Sequence, residues 1–168
     1  MLEREGDLPE ILDVYVQPGE SYVAREPTII KTVLGSCVGV TFWNARLGIG
    51  ALLHAQLPKC PMVASAGLSP TTGRRYVDYS IRDIVRQFDA LGVARKDVEV
   101  KLFGGGDVLP IGSEALAKRS VGRLNCISAI EVLKAEGLEI STSSIRGELG
   151  VTLRFDSWSG RVLLRRLK

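Results

Sequence analysis

One stretch narrows the folds open to this chain more than any other. In residues 32–58, TVLGSCVGVTFWNARLGIGALLHAQLP, Val38, Val40 and Phe42 alternate with Gly39, Thr41 and Trp43. After Asn44-Ala45-Arg46, the residues Ile49, Ala51 and Leu53 alternate with Gly48, Gly50 and Leu52. A period of two is the signature of a strand, and two such runs across a short polar loop predict an antiparallel hairpin. With the apolar sets facing the core, Cys37 and His54, the only histidine, share the opposite face. A turn centred between Ala45 and Arg46 sets the two directly across from one another, with Cβ atoms about 5 Å apart. Gly39, Gly48 and Gly50 on that face leave room for a substrate chain.

A cysteine beside a histidine is a reactive combination. A free thiol with a pKa of about 8.5 is only slightly ionised at neutral pH. A neighbouring imidazole takes its proton, stabilises the thiolate and later returns the proton to an amine leaving group. The Leu34-Gly35-Ser36 turn before Cys37 is suited to expose the sulfur and to aim backbone N–H groups at an oxyanion. The plainer reading stays open: a cysteine buried as a small hydrophobe and a hydrogen-bonded strand histidine. Cys37, His54 and Cys60 would also make three zinc ligands, but no C-x-x-C pair or fourth ligand accompanies them. No metal or other cofactor is expected.

The 168 residues predict a single domain with a sizeable core. A net charge of +3, without a Lys/Arg run interleaved with aromatics, gives no argument for nucleic acid. The basic end Arg165-Arg166-Leu167-Lys168 reads as a solvated strand terminus. Three cysteines (37, 60 and 126) form no even disulfide framework, which points to a reducing, cytoplasmic setting. The charged N-terminus lacks an apolar signal segment, and no apolar run reaches membrane-spanning length.

Residues 1–11 read as a loose extension. Strands are expected at Ile11–Val16, Ile29–Leu34, Asp97–Phe103, Leu138–Thr142, Val151–Phe155 and Arg161–Leu167, the last two joined by the turn 157–160. Asp78–Gly92 is the clearest helix, with Ile81, Ile84, Val85, Phe88 and Leu91 on one face, a Ser80/Asp83 capping box and Gly92 as its stop. A second helix is expected over Asn125–Glu136, with Leu124, Ile127, Ile130 and Leu133 inward. Residues 58–73 are turn-rich and either cover the Cys37/His54 face as a flap or form plain surface loop. Gly104-Gly105-Gly106 lacks phosphate-loop spacing, so it predicts a tight turn or close backbone approach to the Cys37 strand. Many strands with two helices inserted indicate an α+β domain.

The motifs LGSCVGV and GIGALLHAQLP resemble the signature of CheD, the chemoreceptor glutamine deamidase family. Residues 75–80 (RYVDYS), 101–106 (KLFGGG), and Phe155-Asp156 with Ser159-Gly160-Arg161-Val162 resemble further segments of that family, in the same order, across roughly residues 12–167. The resemblance implies mixed β-sheets packed together with helices outside, and hydrolysis of glutamine side chains on the cytoplasmic helices of methyl-accepting chemotaxis receptors. It implies Cys37 as nucleophile, His54 as general base and acid, and a threonine on the preceding strand as orienting partner. Thr32 is the candidate, direct alignment also offers Lys31, and Thr41 is a fallback. A CheC-type phosphatase is the partner implied beyond receptors; an adaptor that binds receptors or that phosphatase with little catalysis is the alternative. Against the family pattern, Leu124 stands where an Arg is expected, Ser144 for an Asp, Arg146 for a Gly and Val151 for an Arg.

Overall fold

Strands form where the alternation is strongest. The computed structural model describes residues 8–61, 67–108 and 120–168. Its strands are β1 (Leu12–Tyr15), β2 (Glu20–Ala24), β3 (Thr28–Leu34), β4 (Val38–Asn44), β5 (Ile49–Ala55), β6 (Glu99–Gly104), β7 (Ile140–Ile145), β8 (Val151–Asp156) and β9 (Arg161–Arg166). They make two sheets, ordered β1-β3-β8-β9 and β2-β5-β4-β6-β7. Both are mixed, because β1 runs parallel to β3 and β6 to β7 while the other neighbours are antiparallel. Helices α1 (Pro70–Gly73), α2 (Val77–Ala90) and α3 (Val121–Ala135) complete an α+β fold.

Period two sends the side chains of the central strands into two separate cores. Val38, Val40 and Phe42 of β4 and Ile49, Ala51, Leu53 and Ala55 of β5 pack with Ile81, Ile84, Phe88 and Leu133 of the helices. Phe42 and Phe88 meet edge to face, with ring centroids 6.1 Å apart. On the reverse face, Leu52 and Phe103 pack against Ile30, Leu34, Leu153 and Phe155 of the other sheet. The order is therefore sheet, sheet, helices, and β5 is buried on both sides. Each fully buried aliphatic or aromatic side chain contributes about 2 kcal/mol. A one-residue slip of β4 or β5 would forfeit many of these at once, so the register is strongly held.

Four expectations need correction. The edge strand β2 was not expected, since Glu20-Ser21-Tyr22-Val23-Ala24 carries too short an alternating run to stand out. Helix α2 begins at Val77 after an N-cap residue, Tyr76, that makes no side-chain cap bond. Ser80 is no cap: it is buried and donates to the Arg74 carbonyl at 2.7 Å, while Asp83 accepts from Arg74 Nε. The expected stop does occur, at Gly92 with φ +74°. Helix α3 starts at Val121, where Ser120 Oγ accepts from Arg123 N. Its inward face is Gly122, Asn125, Cys126, Ser128, Ala129, Val132 and Leu133, whereas Leu124, Ile127 and Ile130 are 40–44% exposed. Of the expected flap, residues 62–66 lie outside the described residues; Leu57 bridges Tyr76 in parallel, and α1 is capped by Ser69.

Candidate functional site

The hairpin register decides how Cys37 and His54 meet. Pairs along β4 and β5 run from Asn44↔Ile49 to Gly39↔His54 and Val38↔Ala55. The turn is thus centred between Arg46 and Leu47, one residue later than expected. Leu47 N donates to Asn44 Oδ1 at 2.9 Å, and Gly48 takes φ +62°, closing a four-residue loop. Moving the turn by one residue moves the register by two, so parity survives. Cys37 keeps the His54 face but takes the diagonal position beyond Gly39, which in a regular sheet lies about 7–8 Å away rather than 5 Å. Among the described residues, no hydrogen bond joins the Cys37 thiol to His54.

Gly39 and Gly50 on that face do not open a substrate channel, and Gly48 belongs to the hairpin loop. A Cβ on Gly39 would stand 2.9 Å from Leu34 Cδ1, and one on Gly50 would stand 2.8 Å from the Phe155 ring. Their missing side chains let the other sheet close down instead. His54 is consequently only 2% exposed, while Cys37 is half-buried at the end of the layer. A cavity of about 290 Å³ opens beside the Gly35 turn, lined by Leu34, Gly35, Gly106, Arg146, Leu149 and Arg166, among others; neither Cys37 nor His54 lines it.

Closure of the sheets brings in Thr32. It lies on the inward face of β3, with its hydroxyl 2.7 Å from His54 Nδ1 and 2.7 Å from the Val16 carbonyl oxygen. A hydroxyl has one proton, and a carbonyl can only accept. All three atoms are satisfied when Thr32 donates to Val16 and His54 Nδ1–H donates to Thr32. That assignment leaves Nε2 unprotonated and free to act as a base. Lys31, one residue away, faces outward and pairs with Asp13 at 2.7 Å. Thr41 is buried on β4 and makes no hydrogen bond to His54 among the described residues.

The electrostatics favour neutral groups. Burial lowers the His54 pKa to about 4, against a hydrogen bond to the Val16 backbone and the charge of Glu20, which act the other way. Burial also raises the Cys37 pKa, and a bond from its own backbone only partly offsets this. The resting pair is therefore thiol and imidazole, not the thiolate–imidazolium pair that the spacing suggested. Among the described residues, no three His, Cys, Asp or Glu side chains converge as a metal site, so Cys60 does not join Cys37 and His54.

The backbone around Cys37 is gripped from two sides. Gly105 N donates to the Cys37 carbonyl and Gly106 N to the Gly35 carbonyl, both at 2.8 Å. A Cβ on Gly104 would sit 2.4 Å from the Cys37 oxygen, so these glycines serve the close approach that their sequence predicted. From the helix side, Asn125 Nδ2 donates to the Ser36 and Gln56 carbonyls, each at 3.0 Å. One fully buried amide thus ties the turn before Cys37 to the strand end after His54. Asn125 was not expected in the site, because a reading by bulk apolar residues turned α3 the wrong way; a lone amide among the small residues Gly122, Cys126 and Ala129 was its signal.

The fold and site define an α+β protein in which a cysteine turn held by backbone contacts shares a sheet face with a buried histidine bonded to a threonine. The CheD family model, described as CheD chemotactic sensory transduction, matches residues 61–166. A protein from Geobacter sulfurreducens named "Probable chemoreceptor glutamine deamidase CheD 2" is 40% identical over 95% of this chain and 92% of its own. A protein from Maridesulfovibrio salexigens named "Probable chemoreceptor glutamine deamidase CheD" is 32% identical over 95% of this chain and 94% of its own. This chain belongs to the CheD family.

Proposed function

We propose that this protein is a hydrolase that converts glutamine side chains of chemoreceptors to glutamate, with Cys37 as nucleophile and His54 as its base and acid. The relatives' names supply the substrate class, and the observation that carries the mechanism is the Thr32–His54 hydrogen bond, which leaves Nε2 free on the face shared with Cys37. Because both groups rest neutral, proton transfer accompanies attack rather than preceding it. Cys37 Sγ bonds to the carboxamide carbon as His54 Nε2 takes the thiol proton. The C–N bond then breaks, and His54 returns that proton to the departing ammonia. Water attacks the thioester, giving one proton to His54 and hydroxide to the carbonyl; glutamate leaves, and His54 reprotonates the Cys37 sulfur. Thr32 is a positioning residue that acts through His54. The reaction belongs in the cytoplasm, where receptor helices carrying the target glutamines would be met; no helix among the described residues is long and apolar enough to cross a membrane.

The test is ammonia release and a mass gain of about one unit, the amide-to-acid change, on a purified receptor cytoplasmic fragment. Wild type should show both, a folded Cys37→Ala variant neither, and Thr32→Val should lose about tenfold or more in kcat from misplacing His54. Absence of both signals with wild type, or turnover by Cys37→Ala, would sink the proposal. Cys37 and His54, both neutral and joined by no hydrogen bond to each other among the described residues, favour one second reading, an adaptor that binds receptors or a CheC-type phosphatase with little catalysis. Tight binding that ignores Cys37→Ala, without ammonia release, would select it.

A further inference from the structure

We infer that Arg146 is a positioning residue that sets the Cys37 turn, acting through the Gly104–Asp107 loop. It is the one non-glycine with positive φ among the described residues, at +68°. A side chain is tolerated in that left-handed conformation only when its surroundings over-determine it, and such residues gather at functional sites. Here the determinants are visible. The Arg146 backbone N–H donates to the Gly104 carbonyl at 2.8 Å. Its guanidinium donates to the Gly105 carbonyl at 3.1 Å, to Ser120 Oγ at 3.4 Å and to the Asp107 carboxylate. The Asp107 backbone N–H completes the ring by donating to the Gly147 carbonyl at 2.8 Å.

The receiving residues are the ones that hold the nucleophile. Gly105 and Gly106, whose carbonyl or neighbouring carboxylate Arg146 grips, donate their own N–H groups to Cys37 and Gly35. Ser120, the third contact, caps α3, whose Asn125 holds Ser36 and Gln56. One planar fork therefore joins the two supports of the Cys37 turn, with charge assistance from Asp107 that a lysine could supply at a single point only. None of this side chain's bonds reaches Cys37 or His54, so its effect on chemistry is through backbone placement.

The inference rests on Cys37 as the nucleophile, and its test separates the two. Arg146→Gly keeps the φ +68° backbone without strain and removes the fork. The expected result is a folded protein in which kcat on the receptor fragment falls about tenfold or more with KM little changed. At the same time, the pH midpoint for iodoacetamide labelling of Cys37 moves down toward that of a free thiol, as a loosened turn lets water in. Cys60, half-buried in the loop beside α2, serves as the internal reference, and Arg146→Lys should recover part of both effects. A purely structural role predicts a change in melting temperature with kcat and the Cys37 midpoint unmoved relative to Cys60, and that result overturns the inference. If Arg146→Gly does not fold, Asp107→Asn carries the same two expectations. Wild type that labels as expected but releases no ammonia would count against the proposed function; the labelling midpoints of the variants would still decide the role of Arg146.

Discussion

His54 is neutral at physiological pH because two sheets close over it, and this leaves a mark on stability. Its folded pKa of about 4 lies below the ordinary 6.5. Between these values the unfolded chain binds a proton that the folded protein refuses, so stability is complete above about 6.5 and falls as pH drops towards 4. The loss attributable to this one residue approaches about 3 kcal/mol. Urea titrations at stepped pH should show wild type losing that much relative to His54→Asn across the window; parallel curves for the two would show that His54 is hydrated. The sequence marked Cys37 and His54 as sharing a face, since parity is a local property of the chain. It marked Thr32 only through family resemblance, because the contact joins β3 to β5 across two sheets whose separation no local pattern encodes.

At the scale of the element, α3 shows packing overruling propensity. Helix propensity favours Gly122→Ala by about 1 kcal/mol. However, a Cβ there would stand 2.3 Å from the Gly106 oxygen and 2.7 Å from the Gly105 oxygen, and both belong to the loop that holds Cys37. The variant should therefore lose at least about 1 kcal/mol net in chemical denaturation, and a stabilised Gly122→Ala would refute the close helix–loop contact. Ile127→Lys, on the exposed face, should stay within about 0.5 kcal/mol of wild type. The same contact explains why the face of α3 was misread. Leu124, Ile127 and Ile130 are among its bulkiest apolar residues, but at the end facing the glycine loop only a stripe of small ones lets the helix approach.

Across the whole molecule, the β4–β5 hairpin is the shared wall of two cores, and Gly39 and Gly50, expected to make room for substrate, make room for the second sheet. Phe155 fills the space over Gly50. Phe155→Ala should cost about 3–5 kcal/mol, and Gly50→Ala should be destabilising by overpacking. Combined, they should cost less than their sum, because removing the ring removes one of the two obstacles to the new methyl group, the other being Ser157 Cα at 2.9 Å. Additive losses in a urea double-mutant cycle would mean that the two do not touch. What the sequence determined by itself was periodic: every strand but β2, that β4 and β5 pair, that Cys37 and His54 share a face, and that glycines 104–106 permit close approach. Tertiary structure decided the rest. It set the hairpin two residues out of the expected register, put Thr32 on His54, turned α3 on its small residues and neutralised the Cys37/His54 pair. Each of these depends on burial or on contact between residues far apart in the chain, and periodicity constrains only near neighbours.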